Sequence, residues 1–71
     1  MDLWEFDKLK IDIAARLATL GPATADKLAL DLNAPHGNVR SALEELWVNE
    51  KSVKRLAFGF WDVAEEVPRV A

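Results

Sequence analysis

The sequence predicts a small α+β domain, mostly α, in which three helices are followed by a short antiparallel β-hairpin. Three observations carry that expectation. Apolar residues recur at helical spacing from residue 3 to residue 48, interrupted by two sets of helix breakers. Between the second and third helical segments the chain has only a few residues in which to turn. After Asn49 and Glu50 the helical period gives way to short β-branched and aromatic runs around Gly59.

The first segment runs from Leu3 to Leu20. Leu3, Phe6, Leu9, Ile13, Leu17 and Leu20 are spaced by threes and fours and so fall on one helical face. Ile11, Ala14, Ala15 and Ala18 widen that stripe, as expected of a helix packed on two sides. Asp2 is the expected N-cap, and Gly21-Pro22 the stop. Thr24 is suited to cap a second helix, with Asp26 in its positively polarised first turn. Ala25, Leu28, Ala29 and Leu32 form the buried side of that helix. Asn33 tolerates the left-handed conformation that ends it. Pro35 is expected at the first position of a third helix, where its missing N–H costs nothing. The third helix should run to about residue 48, with Val39, Ala42, Leu43, Leu46 and Trp47 inward.

Residues 51–56 and 60–63 read as the two arms of a hairpin joined by Ala57-Phe58-Gly59. Neither face is cleanly apolar, so a bulge or strong twist is expected, with Val53, Trp61 and Val63 inward. Residues 22–24 are candidates for a third, very short strand. The domain is placed at residues 1–63, and 64–71 is expected to be a flexible tail.

Composition narrows the function classes. A chain of 71 residues holds one core, and 51% of it is apolar, including three Trp and three Phe. With no Cys, the fold has neither disulfides nor thiolate metal sites to fasten it. The acidic N-terminus does not resemble a secretory signal, and no apolar run reaches the roughly 18 residues of a membrane span. A cytoplasmic setting is therefore expected. One His and no Cys leave no nucleophile–base pair, and neither a Gly-rich phosphate cradle nor a metal-ligand spacing is present. The expectation is a protein that is not an enzyme and needs no cofactor, with no small-molecule substrate and no membrane partner.

The corner between the second and third helices is the most informative feature. Two helices crossing steeply through a short turn need a small residue at the point of closest approach. They also need a permissive residue at the turn and a compact wedge beyond it. Ala29, Asn33 and Val39 fill those places at the required intervals, with Leu28, Leu32, Ala34 and Ala42 around them. Here the chain resembles the winged helix-turn-helix family of DNA-binding regulators. Residues 32–46, LNAPHGNVRSALEEL, are similar to its turn and recognition helix, and residues 51–61, KSVKRLAFGFW, to its wing. Small stand-alone regulators of phage or mobile-element type are the members it looks most like.

The resemblance implies sequence-specific binding of double-stranded DNA and transcription regulation. Helix three would lie in the major groove and the hairpin on the flanking backbone. The implied contacts are His36, Gly37, Asn38, Arg40 and Ser41 on the helix, and Lys54 and Arg55 on the hairpin. Arg40 suits a guanine edge or a phosphate, Asn38 suits adenine, and Gly37 allows close backbone approach. Each also has a plainer role: a solvated helix start for the first five, charged guards of an exposed edge strand for the last two. Phe58 and Phe60 are assigned to core or hairpin packing rather than base stacking, and Glu44 and Glu45 to a solvated face. Trp4 and Trp47 are assigned to the core, with a self-association surface as the alternative for Trp4. A single module suggests binding as a homodimer or as adjacent copies.

The net charge of −3 runs against that reading, because phosphate neutralisation supplies much of the affinity for DNA. Between Gly37 and Gly59 the bases Arg40, Lys51, Lys54 and Arg55 only slightly outnumber Glu44, Glu45 and Glu50. The rival expectation is a protein–protein interaction module on the same fold, binding a basic partner surface.

Overall fold

A computed structural model describes residues 3–64. Helix α1 spans Leu3–Leu20, followed by strand β1 (Ala23–Thr24), helix α2 (Ala25–Leu32) and helix α3 (His36–Glu44). A π turn over Glu45–Asn49 continues α3, and the hairpin strands are β2 (Val53–Arg55) and β3 (Phe60–Val63). The sheet has the order β1-β3-β2 with both pairings antiparallel, so the very short first strand closes onto the hairpin.

Leu9, Ile13 and Leu17 of α1 meet Leu28 of α2, Val39, Ala42 and Leu43 of α3, and Val53, Trp61 and Val63 of the sheet. Five of these, Ile13, Leu17, Leu28, Val39 and Leu43, are fully buried. The ends of the predicted α1 stripe, Leu3 and Leu20, are exposed, and so is Ile11. Two residues advance an α-helix by about 200°, so Ile11 points away from the face that carries Ile13. The helix packs on one side, not two. Asp2, the expected cap, lies outside the described residues.

The corner forms as its residues dictate. Thr24 caps α2, its hydroxyl accepting the Lys27 N–H at 3.1 Å. Asn33 ends α2 in the left-handed region at φ 52°, ψ 47°. The Ala34 N–H then reaches back to the Ala29 carbonyl at 3.0 Å, closing the turn over the small side chain. Pro35 stands one position earlier than the sequence suggests. It is the N-cap itself, extended at φ −60°, ψ 137°, and its carbonyl accepts the N–H of both Asn38 and Val39 at 3.1 Å.

The end of the third helix differs from expectation. The regular α-helix stops at Glu44, and the Glu50 N–H bonds to the carbonyl of Glu45, five residues back. Asn49 Nδ2 donates to Glu45 Oε2 at 2.6 Å along the same turn. Trp47, expected inward, is 40% exposed. Trp4 is exposed too.

The hairpin carries no bulge between residues 53 and 63. Val53 faces Val63, Lys54 faces Asp62 and Arg55 faces Trp61 without a break. The Leu56 N–H continues the ladder to the Phe60 carbonyl at 2.7 Å, and the Ala64 N–H extends it to Ser52 at 3.0 Å. The mismatch between apolar faces is absorbed in the turn, where Phe58 and Gly59 are both left-handed (φ 61° and 78°). Ala64, assigned to the tail by sequence, is buried, and the rest of the tail lies outside the described residues. Asp62 is buried as well. Central position in the sheet covers it, and its Oδ1 accepts the Val63 N–H at 2.8 Å.

Candidate nucleic-acid interface

The core takes one side of α3, through Val39, Ala42 and Leu43. At about 100° per residue, the opposite side is the row Gly37, Ser41 and Glu44. His36 and Arg40 flank that row toward the hairpin, and Asn38 flanks it on the other edge. All are exposed except Asn38, which is partly buried. The predicted helix residues therefore spread across more than one face. His36, Gly37, Arg40 and Ser41 form one surface, and Asn38 stands at its rim.

Between α3 and the wing lies an open cleft of about 310 Å³. His36, Arg40, Glu44 and Trp47 line it from the helix side, and Arg55, Phe58 and Trp61 from the wing. Arg40 and Arg55, predicted on separate elements, thus face the same space. Arg40 makes no ion pair among the described residues. Arg55 is held by aromatic rings: its guanidinium carbon lies 6.0 Å from the ring centroids of both Trp47 and Trp61. Those two rings meet edge to face, with centroids 5.6 Å apart and planes at 80°. Cation–π attraction and a fixed pair of rings orient the guanidinium before any partner arrives. Lys54, partly buried and opposite Asp62, is on the same strand but is not among the residues lining the cleft.

The acids are as informative as the bases. Asp26, at the start of α2, reaches across the corner so that its Oδ1 lies 2.6 Å from His36 Nε2. His36 is therefore partnered within the chain. Within the cleft Arg40 and Arg55 are matched by Asp26 and Glu44, leaving the walls without net charge apart from His36.

Two residues that sequence reasoning assigned elsewhere, Phe58 and Trp47, line this cleft, and Phe60 stands outside it. Phe58 is 94% exposed at the tip of the wing, not packed in the hairpin, and Phe60 is 41% exposed. Trp47 forms the floor beneath Arg55. The signal available for Phe58 was its place beside Gly59 in a turn of three residues, where a side chain has little to pack on. Among the described residues, no group of three or more His, Asp or Glu side chains converges as a metal site requires. No described helix is long and apolar enough to cross a membrane.

Three helices, a steep α2–α3 corner and a three-stranded antiparallel sheet with its hairpin after α3 make this a winged helix-turn-helix fold. The crystal structure of T. acidophilum IdeR superposes with a TM-score of 0.62 at 22% sequence identity, over 92% of this chain. The chain spans only 30% of that protein's length. No protein-family model and no curated protein sequence matches it.

Proposed function

We propose that the protein binds double-stranded DNA as a regulator of transcription, with α3 in the major groove and the wing on the flanking strand. One observation carries this reading: Arg40, on the exposed edge of α3 that faces the hairpin, and the ring-braced Arg55 of the wing line one open cleft at the surface. A helix whose exposed N-terminal half stands clear of the core has the dimensions to enter a major groove. The IdeR structure shares the winged helix-turn-helix fold, and the resemblance of residues 32–46 and 51–61 to DNA-binding regulators of that fold supports the same class of partner here.

Within this reading Arg40 grips a guanine edge or phosphate, Ser41 and Gly37 lie against the groove floor, and Arg55 and Lys54 contact phosphates. Asn38 reads an adenine only from the rim, and His36 contributes through its contact with Asp26. With about three cations engaged, log affinity falls with log salt at a slope of about −3, shallow for a DNA-binding protein. So few contacts per copy favour two copies on adjacent half-sites.

Titration of the labelled chain with mixed-sequence duplex at low salt tests the proposal. Chemical shifts should move at residues 36–41 and 54–55 and return as salt rises. Arg40→Ala should weaken binding about tenfold or more and leave the melting temperature within a few degrees of wild type. A large loss of stability in that variant would make Arg40 structural. The balanced charge of the cleft favours a second reading, a docking site for another protein. No duplex response at low salt would decide for it.

A further inference from the structure

Phe58 is the most conspicuous residue that folding leaves unexplained. Its ring is 94% exposed, so it contributes almost nothing to the core. Its backbone sits at φ 61°, ψ 26°, a region that Gly, Asn or Asp occupy with less strain than a bulky side chain. A turn selected for stability alone would hold one of those residues. The following Gly59, also left-handed at φ 78°, is a residue type that such a position favours, and Phe58 is not. A strained, solvent-facing aromatic at a projecting tip points to an interaction the free chain does not make. Its position names the partner, because Phe58 lines the same cleft as Arg40 of α3 and Arg55 of the wing.

We propose that Phe58 is an apolar wedge that enters the minor groove next to the major groove occupied by α3 and partly unstacks a base step there. This rests on the DNA reading of the cleft. Proteins that press an apolar side chain between base pairs kink the duplex and gain surface contact from the bend. The wedge also addresses the charge deficit, since an interface with few cations draws its affinity from burial of a ring and from duplex deformability. Pyrimidine–purine steps such as TA unstack most readily, so flanks containing them are preferred over stiff A-tracts. Arg55, braced on Trp47 and Trp61, holds the adjoining phosphates while the ring enters.

The test uses short duplexes with 2-aminopurine in a TA step, dyes at both ends, and an A-tract duplex for comparison. With the wild-type chain, 2-aminopurine fluorescence rises, end-to-end transfer reports a bend, and the TA duplex binds more tightly than the A-tract. Phe58→Asn keeps the left-handed backbone and removes the ring. It abolishes the rise and the bend and weakens binding about tenfold, with an unchanged salt slope because no charge is lost. Phe58→Leu, still apolar, retains a measurable bend. If the wild type binds without unstacking, or Phe58→Asn bends the duplex as well as wild type, the wedge is wrong and the DNA reading survives. If the wild type binds neither duplex at low salt, the DNA reading fails and the wedge with it.

Discussion

Gly37 is a glycine that its own surroundings in the fold do not call for. It lies in the first turn of α3 with ordinary helical backbone angles, and a methyl group added there meets nothing within 4 Å. Nothing inside the chain requires a glycine. In a helix it costs about 0.5–1 kcal/mol relative to Ala, because more backbone freedom is lost on folding. Gly37→Ala is therefore expected to raise stability by roughly that amount in denaturant unfolding. On the DNA reading it should also weaken duplex binding, because the new methyl stands on the outward row that lies against the bases. A variant more stable and equally competent would show that α3 does not dock through this row. Asn33 is the contrasting case. Its left-handed geometry is required by the corner itself, and the residue type was legible for that reason.

Beside the core, a few well-placed ion pairs tie the elements together. Arg16 of α1 bonds Asp31 of α2 at 2.9 Å, and Lys27 approaches the same carboxylate at 3.3 Å. Burial by itself would raise the Asp31 pKa, but the hydrogen bonds and charges of Arg16 and Lys27 outweigh it and hold the group below its ordinary 3.8. A carboxyl depressed in the folded state binds its proton more readily when unfolded. Its stabilising effect is therefore present in full above the ordinary value and is lost as pH falls through the folded value. Melting temperature should drop on acidification below about pH 4. Asp31→Asn should flatten part of that drop while lowering stability at neutral pH. If the variant follows the same acid limb as wild type, the α1–α2 clamp contributes nothing.

At this same scale the sequence is most and least legible. Boundaries of α1, the caps of α2 and the existence of β1 follow from periodicity and from Thr24, Gly21 and Asn33, which act locally. Trp47 was misjudged because its burial depends on helical phase. At about 100° per residue Trp47 falls on the edge of α3 that carries His36 and Arg40, beside the Val39 and Leu43 face and not on it. Phe58 was misjudged because composition says what a side chain prefers, whereas the ladder register and its turn decide where it stands. The helix half of the site was read from the resemblance. Its junction with Arg55, Trp47 and Phe58 depends on the crossing of separate elements.

For the whole molecule, the DNA reading requires a chain of net charge −3 to hold a polyanion. Asp26 and Glu44 stand in the cleft itself, so the acids oppose binding where the phosphates would come closest. Asp26→Asn should strengthen duplex binding roughly two- to tenfold at low salt, with the gain fading at high salt as screening removes it. The substitution also weakens the contact with His36 and the favourable charge at the start of α2, at a cost of about 0.3–1 kcal/mol of stability. Affinity and stability should therefore move in opposite directions. Asp7→Asn on α1 changes the net charge identically, but Asp7 pairs with Lys10 away from the cleft. If charge at the interface governs binding, Asp7→Asn has little effect and Asp26→Asn a large one. Equal gains from both would mean that only the long-range field matters. No gain from Asp26→Asn would remove the cleft from the DNA-facing surface and leave its acids free to receive a basic protein partner.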